Sequence, residues 1–303
     1  MQSLLTQRWL FAVAFVVSLV SAALPANAAE PAAPPDGGPV RTASVVHLPL
    51  VVRPLIEVDA VATVLAPAGE FLMGCTSAGD PACRPDEQLQ RTVRLDAFRI
   101  DAVEVTNARY EKCVAAGVCT EPHDTASYTR PAYYGDPAYA DYPVIAVDWT
   151  QAAAYCAWAG KRLPTEAEWE KAARGADGSI HPWGSAPASC ERANFGAADG
   201  AGCIGDTAPV GSLSAGASPY GALDMAGNVQ EWVSDWYQDD YYLSAPDDNP
   251  PGPAMGTHRV LRGGSWYDLP EAIRATARQA GSPTGWDYWY GFRCARTAQT
   301  SGQ

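Results

Sequence analysis

The chain has 303 residues, with 34 acidic and 21 basic side chains and a formal net charge of −13. It carries only three lysines (Lys112, Lys161, Lys171), so the clustered basic charge that nucleic acid demands is missing and no nucleic-acid partner is expected. A 47% hydrophobic content excludes a disordered acidic tail, while 27 glycines, 25 prolines and 10 tryptophans mark a loop-rich domain with aromatic anchors rather than a helical bundle.

Residues 1–28 read as a signal peptide. Arg8 precedes the apolar run from Trp9 to Val20, and Ala26-Asn27-Ala28 supplies a small-x-small cleavage pattern. The run is shorter than the roughly 20 residues of a membrane span, so a cleaved leader is expected, with an uncleaved anchor as the other reading. The expected location is secreted or periplasmic, with no membrane span after cleavage. Residues 29–45 form a Pro/Gly/Ala-rich linker, and 46–298 read as one domain. Val45 to Leu65, punctuated by Pro49 and Pro54, suits edge strands.

Three helices follow. One runs from Thr106 to about Ala116. Asp148 caps the second, Trp149 to Trp158, with Gln151 at its third position and Gly160 as the stop. Pro164-Thr165 opens the third, Glu168 completes a capping box and Gly175 ends it. Ala153, Cys156 and Ala157 share one face of the second helix; Trp169, Ala172 and Ala173 share one face of the third. Beyond Gly175 the chain is short-periodic, turn-punctuated and aromatic, which predicts small strands and long loops. The class is α+β.

Export makes disulfides the expected fate of the eight cysteines. Spacing suggests three local bridges across turn-rich loops, Cys75–Cys83, Cys113–Cys119 and Cys190–Cys203. Cys156 and Cys294 remain, and would tie a central helix to the C-terminal strand. No C-x-x-C occurs, which argues for structural bridges over a metal or redox site.

Enzyme signatures such as a P-loop, G-x-S-x-G and H-E-x-x-H do not occur. The four histidines (His47, His123, His181, His258) are isolated in sequence. Ser265, in Arg262-Gly-Gly-Ser-Trp266, is either a nucleophile or part of a glycine-enabled turn where its hydroxyl bonds backbone. Asp224 and Glu231 lie seven residues apart around Gly227-Asn228. They can supply charged oxygens to a hard cation such as calcium, with carbonyls of Gly227 and Val229 aimed inward. The same acids can cap or salt-bridge locally, and spacing leaves both readings open. In Trp286-Asp-Tyr-Trp-Tyr-Gly-Phe292, alternation puts Tyr288 and Tyr290 on one face and Trp289 on the other, one set core and the other a ligand-facing wall.

An ordered series of strings resembles the formylglycine-generating enzyme (sulfatase-modifying factor) family. It runs through Phe71-Leu-Met-Gly74, Glu104-Val-Thr-Asn107, Tyr142-Pro-Val, Asp148-Trp149 and Gly160-Lys-Arg-Leu-Pro-Thr-Glu-Ala-Glu-Trp-Glu170. It continues with Trp183-Gly184, Asn194-Phe195, Asp224 to Trp232, Arg262-Gly-Gly-Ser-Trp266 and Gly291-Phe-Arg-Cys-Ala295, covering about Ala66 to Arg296. The resemblance implies a C-type-lectin-like α+β fold with bound calcium. One site would be held at Asp224, Gly227, Val229 and Glu231. A second would use Asn194 and Phe195 with a later Asp; that position falls near Gly202, with Asp199 or Asp206 as the acids that could substitute. The Cys156–Cys294 pair also matches a family disulfide.

One departure bears on function. Family enzymes oxidise a substrate cysteine with O₂ and Cu(I) held by two cysteines just past the Gly-Gly-Ser turn. Here Tyr267-Asp268-Leu-Pro-Glu-Ala-Ile-Arg274 stands in that place, with no cysteine between Ile204 and Arg293. Without soft thiolates, copper and formylglycine chemistry are not expected. The catalytic candidates that remain are Ser265, Asp268 and Arg274. The expected ligand cleft comprises Ser265, Trp266, Tyr267, Asp268, Arg274, Trp286, Tyr288, Trp289 and Tyr290. It would take a peptide, glycan or small molecule on a monomeric, calcium-stabilised binding module; a divergent oxidase or modifying enzyme is the alternative.

Overall fold

The computed structural model describes residues 61–198 and 202–298. The leader, the linker, His47, Asp199 and most of the Val45–Leu65 stretch lie outside the described residues. In chain order the regular elements are β1 (Thr63–Ala66), β2 (Gly69–Met73), β3 (Arg91–Leu95), β4 (Phe98–Asp101) and α1 (Asn107–Ala115). Then come α2 (Trp149–Trp158), α3 (Glu166–Arg174), β5 (Gln230–Trp236), β6 (Arg259–Arg262), β7 (Arg278–Gly281), β8 (Tyr290–Gly291) and β9 (Ala295–Thr297). They form sheets in the orders β1-β4-β9, β2-β3 and β7-β6-β5-β8. β1 is an edge strand, as the proline-punctuated stretch before it suggests. Only β5 and β8 pair in parallel.

The helix ends follow from local chemistry. Thr106 Oγ1 accepts from Arg109 N at 3.3 Å and caps α1. Asp148 and Gln151 make a reciprocal capping box on α2, at 2.9 and 3.0 Å. Thr165 and Glu168 do the same on α3, at 3.1 and 2.8 Å. Each such cap contributes about 1 kcal/mol. Gly175 stops α3 at φ +71°, and a Cβ there would meet Pro219 Cγ at 2.9 Å, so the position needs glycine twice over.

α3 departs from its sequence pattern. An apolar stripe of Trp169, Ala172 and Ala173 predicts a half-exposed helix, yet all nine residues are buried. The polar face is buried because each charge finds a partner. Glu170 pairs with Arg262 at 2.6 Å and Arg174 at 3.0 Å, Glu166 with Arg278 at 2.8 Å, and Lys171 Nζ donates to the carbonyls of Pro67 and Gly69.

β5 is the wall between two apolar clusters. Its alternation sends Val233 into one with Phe71, Phe98, Ile100, Trp169 and Val260. Trp232 goes into the other with Tyr110, Tyr155, Leu261 and Phe292. All four expected cysteine pairings are present as disulfides. Cys156–Cys294 closes the longest loop, a separation of 138 residues, and stabilises by about 3–5 kcal/mol in the chain-entropy account. No helix among the described residues is long and apolar enough to cross a membrane.

Candidate functional site

The chain leaves β6 through Gly263 and Gly264, at φ +89° and +66°. A Cβ on Gly264 would fall 2.7 Å from the Ala272 carbonyl oxygen, so the turn closes only around glycine. This tight turn directs Ser265 Oγ to donate to Asp268 Oδ2 at 2.7 Å, while Tyr267 N donates to Ser265 Oγ at 3.3 Å. Gln230, at the head of β5, donates Nε2 to the same Asp268 oxygen at 2.9 Å. Asp268 is half-buried and held by two donors; Ser265 is 0% exposed. A hydroxyl so enclosed is a turn-builder, not a presented nucleophile. Nor is a histidine beside it among the described residues. His123 pairs with Asp148 and stacks on Trp286, His181 stacks on Trp183, and His258 bonds Thr257.

A cleft of about 640 Å³ opens over this turn, lined by Tyr128, Trp266, Tyr267, Leu269 and a floor that includes Gly196 and Gly202. Tyr267, 59% exposed, stacks on Trp289 with centroids 5.1 Å apart and planes at 11°. Trp266 is buried, meets Trp289 edge-on at 6.3 Å and lies 5.2 Å from Tyr128. The other expected wall residues go elsewhere. Tyr290 packs on Trp232, Tyr288 Oη donates to Asp124 Oδ2 at 2.8 Å, and Trp286 packs on Tyr288 and His123. Trp289 alone of those four reaches Tyr267, while Tyr288 and Tyr290, expected on one face, have different partners and Trp289 also meets Tyr290 edge-on. Tyr128 carries no sequence signal; it arrives from a loop 138 residues before Trp266.

Arg274 is a correction. It does not line the cleft; its guanidinium is buried against Asp80 at 2.7 Å, Glu87 at 2.6 Å and Thr276 at 3.0 Å, beside the Cys75–Cys83 loop. A buried guanidinium stays charged only where carboxylates meet it, and here they do. Burial pushes the Glu87 carboxyl up, but bonds and charge from Arg274 and Arg84 outweigh it and hold Glu87 below its ordinary value.

Beneath the cleft the Gly227-Asn228 turn is clasped to the Ser265 turn. Gly227 N donates to the Gly263 carbonyl and Trp266 N to the Asn228 carbonyl, both at 2.9 Å. Asp224, Gly227 and Asn228 all adopt positive φ. Asp224 Oδ2 accepts from Gly211 N. Glu231 is buried and receives Arg293 at 2.7–2.9 Å and Trp169 Nε1 at 2.8 Å. Glu104 adds a third carboxylate, whose Oε2 has no hydrogen-bond partner. Burial, with the Asp224 charge beside it, pushes the Glu104 carboxyl well up; burial also raises Asp224. Three acids against one arginine make a donor set that suits a hard divalent cation.

Comparison with known proteins bears on the whole domain. Residues 52–298 match the model of the sulfatase-modifying factor enzyme 1-like domain. The chain belongs to the sulfatase-modifying factor family. Its α+β, loop-rich, disulfide-bonded architecture is the formylglycine-generating-enzyme type. The formylglycine-generating enzyme of Streptomyces coelicolor is 36% identical over 335 residues, covering 93% of this chain and 98% of that one. A Chlamydia pneumoniae protein named serine/threonine-protein kinase pkn1 is 39% identical over 246 residues. That match covers 77% of this chain but 37% of pkn1, so the chain spans little more than a third of that relative. Among solved structures, PvdO from Pseudomonas aeruginosa superposes with a TM-score of 0.65 at 31% identity, covering 78% of this chain and 94% of that one.

Set against its family, the site fits one metal and not another. Copper(I) requires thiolates, and all eight cysteines are in disulfides, so the residues present do not fit it. A hard oxygen at Asp224 suits calcium, whereas both Glu231 oxygens already accept from Arg293 or Trp169. At the second expected site, Asn194 Oδ1 has no partner, but the Phe195 carbonyl accepts Cys203 N at 2.9 Å. Asp206 does not substitute there. Its carboxylate is filled by Ser127, Thr129, Thr207 and Arg130, and although burial opposes them, the Thr129 and Ser127 bonds hold it below its ordinary value.

A larger cavity, about 850 Å³, is lined by Arg84, Asp86, Tyr237, Tyr242 and Arg278 among others. Size does not make it the site. Its arginines are spent on buried Glu87 and Glu166, and it holds none of the residues of the Ser265 turn.

Proposed function

We propose that this chain is an exported, calcium-stabilised binding module of the sulfatase-modifying factor family that has given up the copper–thiolate oxidation of its formylglycine-generating relatives. The observation that carries the reading is Asp268. It lies at or near the position where the family resemblance puts a thiolate, fixed by Ser265 and Gln230, with every cysteine consumed in a disulfide. Beside it Tyr128, Trp266 and Tyr267 line the cleft, Trp289 stacks on Tyr267, and Asp268, between the lining residues Tyr267 and Leu269, would offer a hydrogen-bond acceptor. Together they suit a peptide, glycan or small molecule bound by stacking and one polar anchor. Calcium would be held by Asp224 and Glu231 with carbonyls of Gly227 and Val229. Bound there it would supply fixed positive charge under the turn that carries Ser265 and Trp266. The leader-like residues 1–28 and the four disulfides support export.

The test is direct. The oxidised protein is incubated with a Cys-x-Pro-x-Arg peptide and copper, and the peptide mass is followed; no formylglycine is expected, and turnover above a no-protein control would sink the reading. Metal analysis of the purified protein should return calcium. A second reading, a divergent oxidase or modifying enzyme, draws on the formylglycine-generating relatives and on Asp268, a hard oxygen ligand held ready by two donors. Stoichiometric copper or iron would favour it.

A further inference from the structure

The arginines that line the cavity of about 850 Å³ face inward, and the charge they leave uncovered is acidic. Arg278 donates Nε and Nη2 to Glu166 at 2.8 and 2.9 Å, and Nη1 to the carbonyls of Asp86 and Gln238. Arg84 Nε donates to buried Glu87 at 2.7 Å. The carboxylates of the lining, Asp86, Asp239 and Asp240, have no such partner. Tyr237 Oη donates to Asp86 Oδ2 at 2.9 Å, and Arg84 Nε stands 4.0 Å from the other Asp86 oxygen, beyond hydrogen-bond reach. Asp240 accepts only from Gln238 Nε2, at 2.6 Å, and exposed Asp239 meets no cation among the described residues.

The cavity also follows a strand edge. Arg278, Gln279 and Ala280 are consecutive in β7, and all of them line it. Side chains on a strand alternate between faces, so a cavity touching consecutive residues runs along the edge. β7 is the outer strand of its sheet, paired with β6 alone, and an outer edge presents unpaired N–H and C=O groups. Arg84 Nη2, another group of the lining, reaches the Arg278 carbonyl at 2.6 Å, so that edge is open to the cavity. Leu89 and Leu243 add exposed apolar side chains to the same lining. Leu89 is held at φ +66°, where leucine is rare, so neither core packing nor local geometry accounts for it. We propose that this groove is a second binding site, apart from the Ser265 cleft, that takes an extended peptide segment carrying a lysine or arginine. Its backbone pairs along β7, its apolar side chains cover Leu89 and Leu243, and its cation reaches the uncovered carboxylates. Backbone pairing supplies affinity, and the acid-lined pocket supplies selectivity. A net charge of −13 draws a basic segment and repels a second copy of this chain. The site depends on neither the calcium reading nor the Ser265 cleft.

Fluorescence anisotropy of the full chain with a labelled Val-Lys-Val-Lys-Val-Lys peptide tests the site. Wild type should bind it, and should bind counterparts with serine or glutamate in place of lysine about tenfold more weakly. A version N-methylated at each peptide bond should not bind, because it cannot pair with β7. The double variant Asp239→Asn/Asp240→Asn, at two exposed positions, should weaken the lysine peptide about three- to tenfold with melting unchanged. Leu89→Gly should weaken it too without melting lower, since glycine suits φ +66°. No binding by the wild type, equal binding of the three peptides, or equal binding of the N-methylated one would overturn the proposal. So would unchanged affinity in both variants. Spermidine competing as well as the peptide would make this a small-cation site, and loss of binding through Tyr267→Ala instead would put the peptide in the Ser265 cleft; either result overturns the peptide groove. Self-association of the wild type that both variants abolish would make a second copy the occupant and overturn it equally.

Discussion

Two groups of buried charge draw on the same strand, β5, yet they are composed differently. On the α3 side Glu166 and Glu170 are met by Arg278, Arg262 and Arg174, every guanidinium within 3.4 Å of a carboxylate oxygen. On the other side Glu104, Asp224 and Glu231 share Arg293 alone, and one oxygen is left bare. In the first group each carboxylate meets a guanidinium, and the network locks a charged helix into the core. The second holds three carboxylates to one guanidinium among the described residues. The contrast separates a matched ion-pair network from an acid-rich one without any appeal to which residues are acidic, since both groups are.

The largest effect should come from breaking the balanced group. Arg278→Met leaves Glu166 buried without its bidentate partner and should cost about 3–5 kcal/mol in denaturant unfolding, the same with calcium or chelator. Arg293→Met should cost at least as much in chelator but recover part of the loss when calcium is added, because the ion can then serve Glu231 too. Equal calcium dependence in the two variants would erase the contrast. Next in size is chelation of the wild type. At calcium a hundredfold above its dissociation constant, binding stabilises by about 2.7 kcal/mol, which should appear as a melting temperature several degrees lower once a chelator is added.

How far the sequence reaches follows from the range of each interaction. Caps on α1, α2 and α3 depend on residues three apart, and they are legible. The three short disulfide loops are legible for the same reason, and the fourth follows by remainder. Arg274 is misplaced because nothing near it marks its partners; Asp80 and Glu87 lie 194 and 187 residues away. Glu104 lies inside a recognisable string, yet its role depends on Asp224 and Asn228, the latter 124 residues on. Local periodicity reports that Trp169 faces the core and cannot report that Glu166 and Glu170 do as well. Asp224 and Glu231 are visible as a pair, but spacing does not reveal that Arg293 has claimed one of them.

Asp235 is the exception inside the balanced group and gives a subtler test. It is buried, and its Oδ2 accepts only from Glu166 N and Ser234 Oγ, both at 2.8–2.9 Å, with no guanidinium bonded to it. Burial and the neighbouring Glu166 charge push its carboxyl up to about 7. A carboxyl raised in the fold holds a proton that the unfolded chain releases near pH 4, so its stabilising contribution is complete below pH 4 and is lost as pH rises to 7. Asp235→Asn keeps an acceptor oxygen and cannot ionise. It should flatten that part of the stability profile and exceed the wild type at pH 8; an unchanged slope between pH 4 and 7 would assign the dependence to another group.

The smallest stability effect belongs where function is proposed. Tyr267 is exposed and its main contact is the stack on Trp289, so Tyr267→Ala should cost about 0.5–1.5 kcal/mol. Trp266 is unsuitable for the same test, because it is buried and its truncation would cost about 3–5 kcal/mol through the core. Either charge group should lose stability when its arginine is removed; the cleft should lose recognition. On peptide and glycan arrays, a ligand captured by the wild type should be lost by Tyr267→Ala and by Asp268→Ala while melting stays within a few degrees. Retained capture by both variants would place recognition elsewhere. A variant that melts early as well as losing capture would mean that the aromatic wall serves the fold first, as the two ionic groups do.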